Sequence, residues 1–454
     1  MRRWWPLGAL VGALALALGW WSARSELVRE SSAADGGQPR AGACDCGAAG
    51  AAAAPAAPPP AAAGARPLQA ARFAVCPREE SAATLTSLAL LEGRPALWAL
   101  HCGRSLHLIA IEELSGGLVP LRVAIVESSS PNPAEAVAAS EPAAADVDGD
   151  GRADLIAPVL LIDRLEAPRG GALFLLRQRA AGGFEPPRRV LGAAPGALAA
   201  AALDTQPGAD LVLLQREDAS TRRPDAIWLL SGGPAPVRFA QRPAGVGVGS
   251  LATLDLDLDR RDDIAVTVPG EGRVRLWLSA RGPLAEVEPL ELALASARQT
   301  LVADVDGDGQ RDLVIAAEGV AVLFARQAFV PEPRAIAGSE GLRALHVLDV
   351  DADGKPDLIG HAHPELFALL RREAGGFERR LVAGLRGEPA VLSARVVQLD
   401  RDPRPDLLIV ALSARGDDVE LAFVANFELG SIVQLADDSR SLPQTALLER
   451  FTAQ

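Results

Sequence analysis

The sequence predicts an all-β protein, a seven-bladed β-propeller of four-stranded antiparallel blades, preceded by one N-terminal hydrophobic helix and a disordered linker. Three observations predict it. An acidic motif recurs through the body at intervals of about 45–58 residues, the size of a propeller blade. Each copy is bracketed by short apolar runs of about four to seven residues, separated by Gly, Pro or Asp, which suits strands and not helices. No stretch of the body sustains a 3.6-residue period over a helix length.

Composition narrows the function classes. The chain has 454 residues and a net charge of −13. That acidity argues against a nucleic-acid binder, which would show a basic patch. Apolar residues make up 49% but aromatics only 4%, so the core is expected to be built from small side chains. The single lysine (Lys355), the single methionine (Met1) and the absence of Tyr read as a compositional bias of the source.

Residues 1–23 are not fold material. Arg2 and Arg3 precede an uncharged apolar run from Pro6 to Ala23, with Trp4 and Trp5 at one end and Trp20 and Trp21 at the other. A helix from Trp4 to Trp21 would span about 27 Å, close to a hydrocarbon core. Paired Trp at both ends fits interfacial belts, and the leading arginines fit the positive-inside rule. Two readings stay open: an uncleaved signal-anchor, or a signal peptide cleaved near Ser32-Ala33-Ala34. Either one makes the remainder extracytoplasmic. Residues 24–67 form a linker, since Gly47 to Ala65 is all Ala, Pro and Gly and has no large side chain to bury.

Residues 68–454 are the body. With an oxidising compartment implied, Cys76 and Cys102 are expected to pair as a disulfide. Cys44 and Cys46 fall in the linker, where a local bridge, an interchain bridge or no role are all open. Ring closure has two candidate strands. Arg72-Phe73-Ala74-Val75-Cys76 could add an outer strand to the last blade, or Ser431-Ile432-Val433-Gln434-Leu435 could complete it directly.

The acidic motif carries the chemistry. Three copies are nearly superimposable: Asp146 to Asp154, Asp304 to Asp312 and Asp349 to Asp357, each followed by Leu and then Ile or Val. Carboxylates stand at positions 1, 3, 5 and 9. These are Asp146, Asp148, Asp150 and Asp154; Asp304, Asp306, Asp308 and Asp312; and Asp349, Asp351, Asp353 and Asp357. The backbone carbonyl of position 7 (Arg152, Gln310 or Lys355) can add a fifth oxygen, and Gly at position 6 allows a sharp turn. Four carboxylates and a carbonyl make a hard-oxygen cage, for which calcium is the expected ion. A plain Asp/Gly turn with solvated charges is the weaker reading, because clustered carboxylates repel one another without a cation. An EF-hand would need Glu at position 12, where this chain has Ala157, Ile315 and Gly360.

A fourth copy, Asp255, Asp257, Asp259 and Asp263, keeps the carboxylates but has Arg260 where the others have Gly. Arg260 is expected to adopt a glycine-like turn at a cost of about 1 kcal/mol. Copies at 204–210 and 400–406 read as two residues short and as binding nothing. A seventh, Glu92 to Ala96, is faint. In all, 22 of 31 Asp fall in the six acidic loops, a clustering that chance would not produce.

The pattern Asp-x-Asp-x-Asp-Gly-x-x-Asp-Leu-[Ile/Val] at the opening of a strand resembles the FG-GAP or VCBS repeat, as in the β-propeller of integrin α-subunits and many bacterial exported proteins. The resemblance covers about residues 68–435. Gly182-Gly183-Phe184 and Gly375-Gly376-Phe377 look like the Gly-Phe turn of that family. It implies calcium within each competent blade, with the carboxylates at positions 1, 3, 5 and 9 as ligands.

Catalytic signatures are sparse. The chain has no Gly-x-Ser-x-Gly, His-Glu-x-x-His or Walker pattern. Gly245-Val-Gly-Val-Gly249 reads as a strand entry. His361 and His363 would share one strand face with Glu365 beyond, and a polar loop face is the simpler reading than a site. Arg415-Gly416-Asp417 reads as a turn. The functional expectation is an exported, calcium-stabilised binding, adhesion or scaffolding module with a protein or carbohydrate ligand at the cell envelope. It would be tethered to the membrane through the N-terminal helix, or secreted if that helix is cleaved. The alternative is an enzyme acting on a polysaccharide or other polymer in the propeller mouth.

Overall fold

The computed structural model describes residues from Leu68 to Ala453 apart from short internal stretches, all within one compact unit, Pro58–Gln454. Residues 1–67 lie outside the described residues, and so do the expected N-terminal helix and linker. The faint copy at Glu92 to Ala96, His363 and Arg415-Gly416-Asp417 also lie outside them. Among the described residues the only helical elements are the 3-10 turns Pro269–Glu271 and Ser279–Arg281. No helix there is long and apolar enough to cross a membrane.

Why strands form is visible in the buried runs. Asp210–Gln215 and Asp312–Ala316 are buried almost end to end. Side chains alternate between the two faces of a strand, and here both faces are covered. Leu211 and Leu213 pack into one apolar cluster with Ile156 and Leu173, whereas Val212 and Leu214 pack into the next with Ile264 and Val266. Leu313 and Ile315 likewise join Leu254 and Leu276, while Val314 and Ala316 join Leu358 and Leu369. Both of these sheets are therefore sandwiched between their two neighbours, which is the packing of propeller blades. The first strands of successive repeats also touch in order: Ala143–Ala145, Ala197–Ala201, Leu251–Leu254, Gln299–Ala303, Arg343–Leu348 and Val391–Val397.

The described strands form six sheets, so the molecule is a six-bladed all-β propeller and the expected seven separate blades are corrected. Three sheets are four-stranded, two are five-stranded and one has nine strands. The cause is Ser431–Ser441. It pairs in parallel with Phe377–Arg386 on one side and with Leu68–Pro77 on the other, so the repeats that begin near 349 and 400 share one hydrogen-bonded sheet. Uniform four-stranded blades fail for a second reason: the C-terminal strand Glu449–Ala453 adds in parallel to Gly117–Ser128.

Ring closure uses the first of the two expected options. Leu68–Pro77 pairs antiparallel with Asp418–Val424, and Ser431–Ser441 then adds outside it. Cys76 lies in this nine-stranded sheet, while Cys102 ends the strand Leu97–Cys102 of a different sheet. Their side chains, and with them the expected disulfide, lie outside what is described.

Candidate metal centres

The acidic loops occupy one topological place. Each joins the first strand of a repeat to the second, and the ninth carboxylate is the first residue of that second strand: Asp154, Asp210, Asp263, Asp312, Asp357 and Asp406. It faces the last residue of the first strand across the closing pair of a hairpin: Ala145, Ala201, Leu254, Ala303, Leu348 and Val397. The register corrects the reading of the 204 and 400 copies as two residues short. Their hairpin loops, 202–209 and 398–405, are as long as 146–153. What both lack is the first carboxylate, replaced by Ala202 and Gln398, and the 204 copy also has Gln206 in place of the fifth.

The ninth carboxylate is a staple in all six loops. One oxygen accepts the N–H of loop position 2, as from Leu256 to Asp263 (2.9 Å), Val305 to Asp312 (2.9 Å) and Val350 to Asp357 (3.0 Å). The other oxygen accepts an N–H from the end of the third strand: Gln178 to Asp154, Gly232 to Asp210, Ser279 to Asp263, Ala325 to Asp312, Arg371 to Asp357 and Asn426 to Asp406. These side chains are buried. Burial pushes the carboxyls of Asp154, Asp312 and Asp357 up to about 6 and that of Asp263 up to about 7, against the pull of the N–H donors.

The first carboxylate organises the bend. Asp146 accepts N–H bonds from Gly149, Asp150 and Gly151 at 2.8, 3.0 and 2.8 Å. Asp255 accepts them from Asp259 and Arg260, and Asp349 from Asp353 and Gly354. Position 6 is left-handed in every intact loop, with Gly151, Gly309 and Gly354 at φ 84°, 85° and 82°. Arg260 adopts the same conformation at φ 74°, as expected for a loop forced into a glycine-like turn. Position 4 is left-handed too, although Leu258 and Ala352 hold it in two loops.

Positions 1, 3 and 5 then converge. In the loops at 255, 304 and 349, one oxygen from each of those three carboxylates lies within 4.8 Å of the others; in the loop at 146 the trio is Asp146, Asp148 and Asp154. The 255 loop thus gathers its carboxylates as the intact loops do. Position 7 also contributes its N–H: those of Arg152, Gln310 and Lys355 bond the carboxylates of Asp150, Asp308 and Asp353.

The fit to a cation is tested by position 3. Asp148 Oδ1, Asp257 Oδ1 and Asp351 Oδ1 are buried oxygens without a hydrogen-bond partner. A buried acceptor with nothing to accept is costly, and a divalent ion in the loop would satisfy it. Burial first, and then the neighbouring charges of Asp259 and Asp255, raise the pKa of Asp257. The residues present therefore fit a hard cation with oxygen ligands.

His346 and His361 serve elsewhere. The Nε2 atom of His361 meets the Ala394 carbonyl at 2.8 Å, and Val396 N–H donates to His346 Nε2 at 3.0 Å. Both rings thus tie the 349 repeat to the first strand of the 400 repeat. Similar polar links join other first strands: Thr253 to the Ala200 carbonyl, Ser250 to Thr300, and Gln299 to both backbone groups of Leu345. The run Gly245 to Gly249 connects Val237–Gly245 to Leu251–Leu254. Its Gly247 and Val248 N–H groups cap Asp225, and it holds no phosphate-loop geometry.

Residues 255–315 and 304–360 match the FG-GAP-like repeat model. No curated protein matches the chain. Among solved structures, it is similar to an Agrocybe aegerita lectin described as recognising non-reducing terminal N-acetylglucosamine (13% identity, 72% of this chain, 89% of that one, TM-score 0.45). It is similar to the Dos1 propeller (9% identity, 83% and 98%, TM-score 0.43). It is also similar to the rhamnogalacturonan lyase YesW (12% identity, 78% and 76%, TM-score 0.38).

Proposed function

We propose, from the premise that FG-GAP-like repeats build this propeller, that the chain is an exported, calcium-stabilised binding or scaffolding module of the cell envelope. The observation that carries the reading is repetition. A carboxylate trio recurs in four repeats at the same hairpin, formed by positions 1, 3 and 5 in three of them and by positions 1, 3 and 9 in the 146 loop. A catalytic centre is assembled once in a fold, whereas a structural staple is used once per repeat. The orphaned oxygens at position 3 support calcium as the occupant, with Asp146, Asp148, Asp150 and Asp154 and their counterparts as ligands. When bound, the ion would neutralise the clustered carboxylates and hold the first two strands of its repeat together. The chain's own residues do the rest: the first carboxylate bends the loop, and the ninth ties it to the third strand.

The N-terminal segment supports export. Its Arg-led apolar run would place residues after it outside the cytoplasm, and the Ala/Pro/Gly linker would hold the body away from the membrane. The ligand is a protein or a carbohydrate of that compartment. The test is retention of envelope proteins and a glycan array by the full chain in calcium and in chelator. Retention without turnover, lost in chelator, is expected. Conversion of a retained glycan to products would overturn the binding reading in favour of an enzyme.

A further inference from the structure

Three loops share a feature that lies outside the acidic motif. Arg177 Nε stands 3.2 Å from Asp148 Oδ2, and Arg372 Nη1 stands 3.4 Å from Asp351 Oδ2 while its Nη2 pairs with Glu378 Oε2 at 2.6 Å. Arg326 reaches two carboxylates, Asp306 Oδ2 at 2.5 Å and Asp308 Oδ2 at 2.7 Å. In each case an arginine from the end of the third strand meets the position 3 carboxylate. Each arginine also adjoins in sequence the residue whose N–H bonds the ninth carboxylate: Gln178, Ala325 or Arg371. The buried staple therefore fixes the point from which the guanidinium reaches out. In the 255 loop the residue whose N–H bonds the ninth carboxylate is Ser279, whose hydroxyl also bonds Asp259 at 2.9 Å, and the guanidinium on Asp259 comes from Arg261 of the loop itself, at 2.8 Å.

We propose that Arg177, Arg326 and Arg372 are tethered counter-cations: they hold the three intact loops folded when no divalent ion is bound, and by like charge they weaken the ion that does bind. The inference rests on the calcium reading above. Its physical basis is that a guanidinium and a divalent ion share one carboxylate. The guanidinium relieves part of the repulsion among four acids, and it repels a second cation a few ångströms away. Because stabilisation by a ligand grows as its dissociation constant falls, the arginines trade calcium dependence for a body that survives low calcium.

Arg326→Gln and Arg372→Gln in the full chain test this, by calorimetric calcium titration at fixed ionic strength and by melting with and without calcium. Each variant should melt lower in metal-depleted buffer and bind calcium about threefold to tenfold more tightly at its own loop. The gap between the two melting temperatures should widen accordingly. Arg326→Lys, which keeps the charge, should leave the affinity near that of the unsubstituted chain. Unchanged or weaker affinity in the Gln variants, or equal loss of melting temperature in both buffers, overturns the proposal alone. An unsubstituted chain that ignores calcium overturns the calcium reading and this inference together.

Discussion

Arg72 is ion-paired with Glu420, 348 residues further along the chain, and both side chains are 1% exposed. The Nε atom of Arg72 donates to Glu420 Oε2 at 2.6 Å and its Nη2 meets the same oxygen. Arg72 lies on the strand that closes the ring and Glu420 on the strand that receives it. A buried pair of this kind adds little net stability over apolar side chains, but it punishes any register that separates the charges.

Arg72→Ala and Glu420→Ala should each cost about 3–5 kcal/mol, because each strands a buried charge. Replacing both with Met and Leu should cost less than either single change. Urea unfolding of the three variants measures it, and a double variant as weak as the singles would remove the case for a register device.

The ninth carboxylate should act without any ion. Asp406→Ala leaves the N–H groups of Leu399 and Asn426 unpaired and should cost about 2–4 kcal/mol. Since the 400 loop lacks the first carboxylate, the melting shift produced by calcium should stay as in the parent. Chemical denaturation with and without calcium separates the two effects.

Arg260 pays for its left-handed backbone at φ 74°. Arg260→Gly should stabilise the protein by about 1 kcal/mol, as the strain of a side chain in that region outweighs the added freedom of the unfolded chain. A denaturation midpoint that falls would show that the Arg260 side chain contributes more than its backbone costs.

The hairpin centres were legible because their chemistry is local: alternate Asp and a following Leu-Ile report a bend and a strand within eleven residues. The ninth carboxylate was read only as a ligand, since its partner N–H groups, such as Ala325 for Asp312, lie on another strand and carry no side-chain signal. The 204 and 400 copies look short in the sequence because their first Asp, Asp204 or Asp400, stands where the other loops have their second. Only the pairs Ala201 with Asp210 and Val397 with Asp406 reveal that this Asp is position 3. The blade count was out of reach for a similar reason. Nothing in Ser431–Ser441 itself announces that both of its edges are taken, by strands far apart in sequence. The arginines were passed over because an arginine after a strand is ordinary until its carboxylate partner is placed.

The pH dependence has a definite sign. The folded pKa values of Asp154, Asp312 and Asp357, near 6, and of Asp263, near 7, lie above the unfolded carboxylate value of about 3.9. The folded state therefore binds protons more tightly, so this contribution is present at low pH and is lost as pH rises through 6 to 7. In metal-depleted buffer the protein should melt higher at pH 5 than at pH 7.5. With calcium the order should flatten or reverse, because a bound ion favours the ionised carboxylates.

The most direct test is melting of the full chain in excess calcium and in chelator, beside Asp306→Ala. A site filled at a hundredfold excess over its dissociation constant adds about 2.7 kcal/mol. The unsubstituted chain should therefore melt several degrees higher in calcium, and Asp306→Ala should keep only part of that rise. Superimposable curves in calcium and chelator would contradict the claim that these loops are closed by a divalent ion.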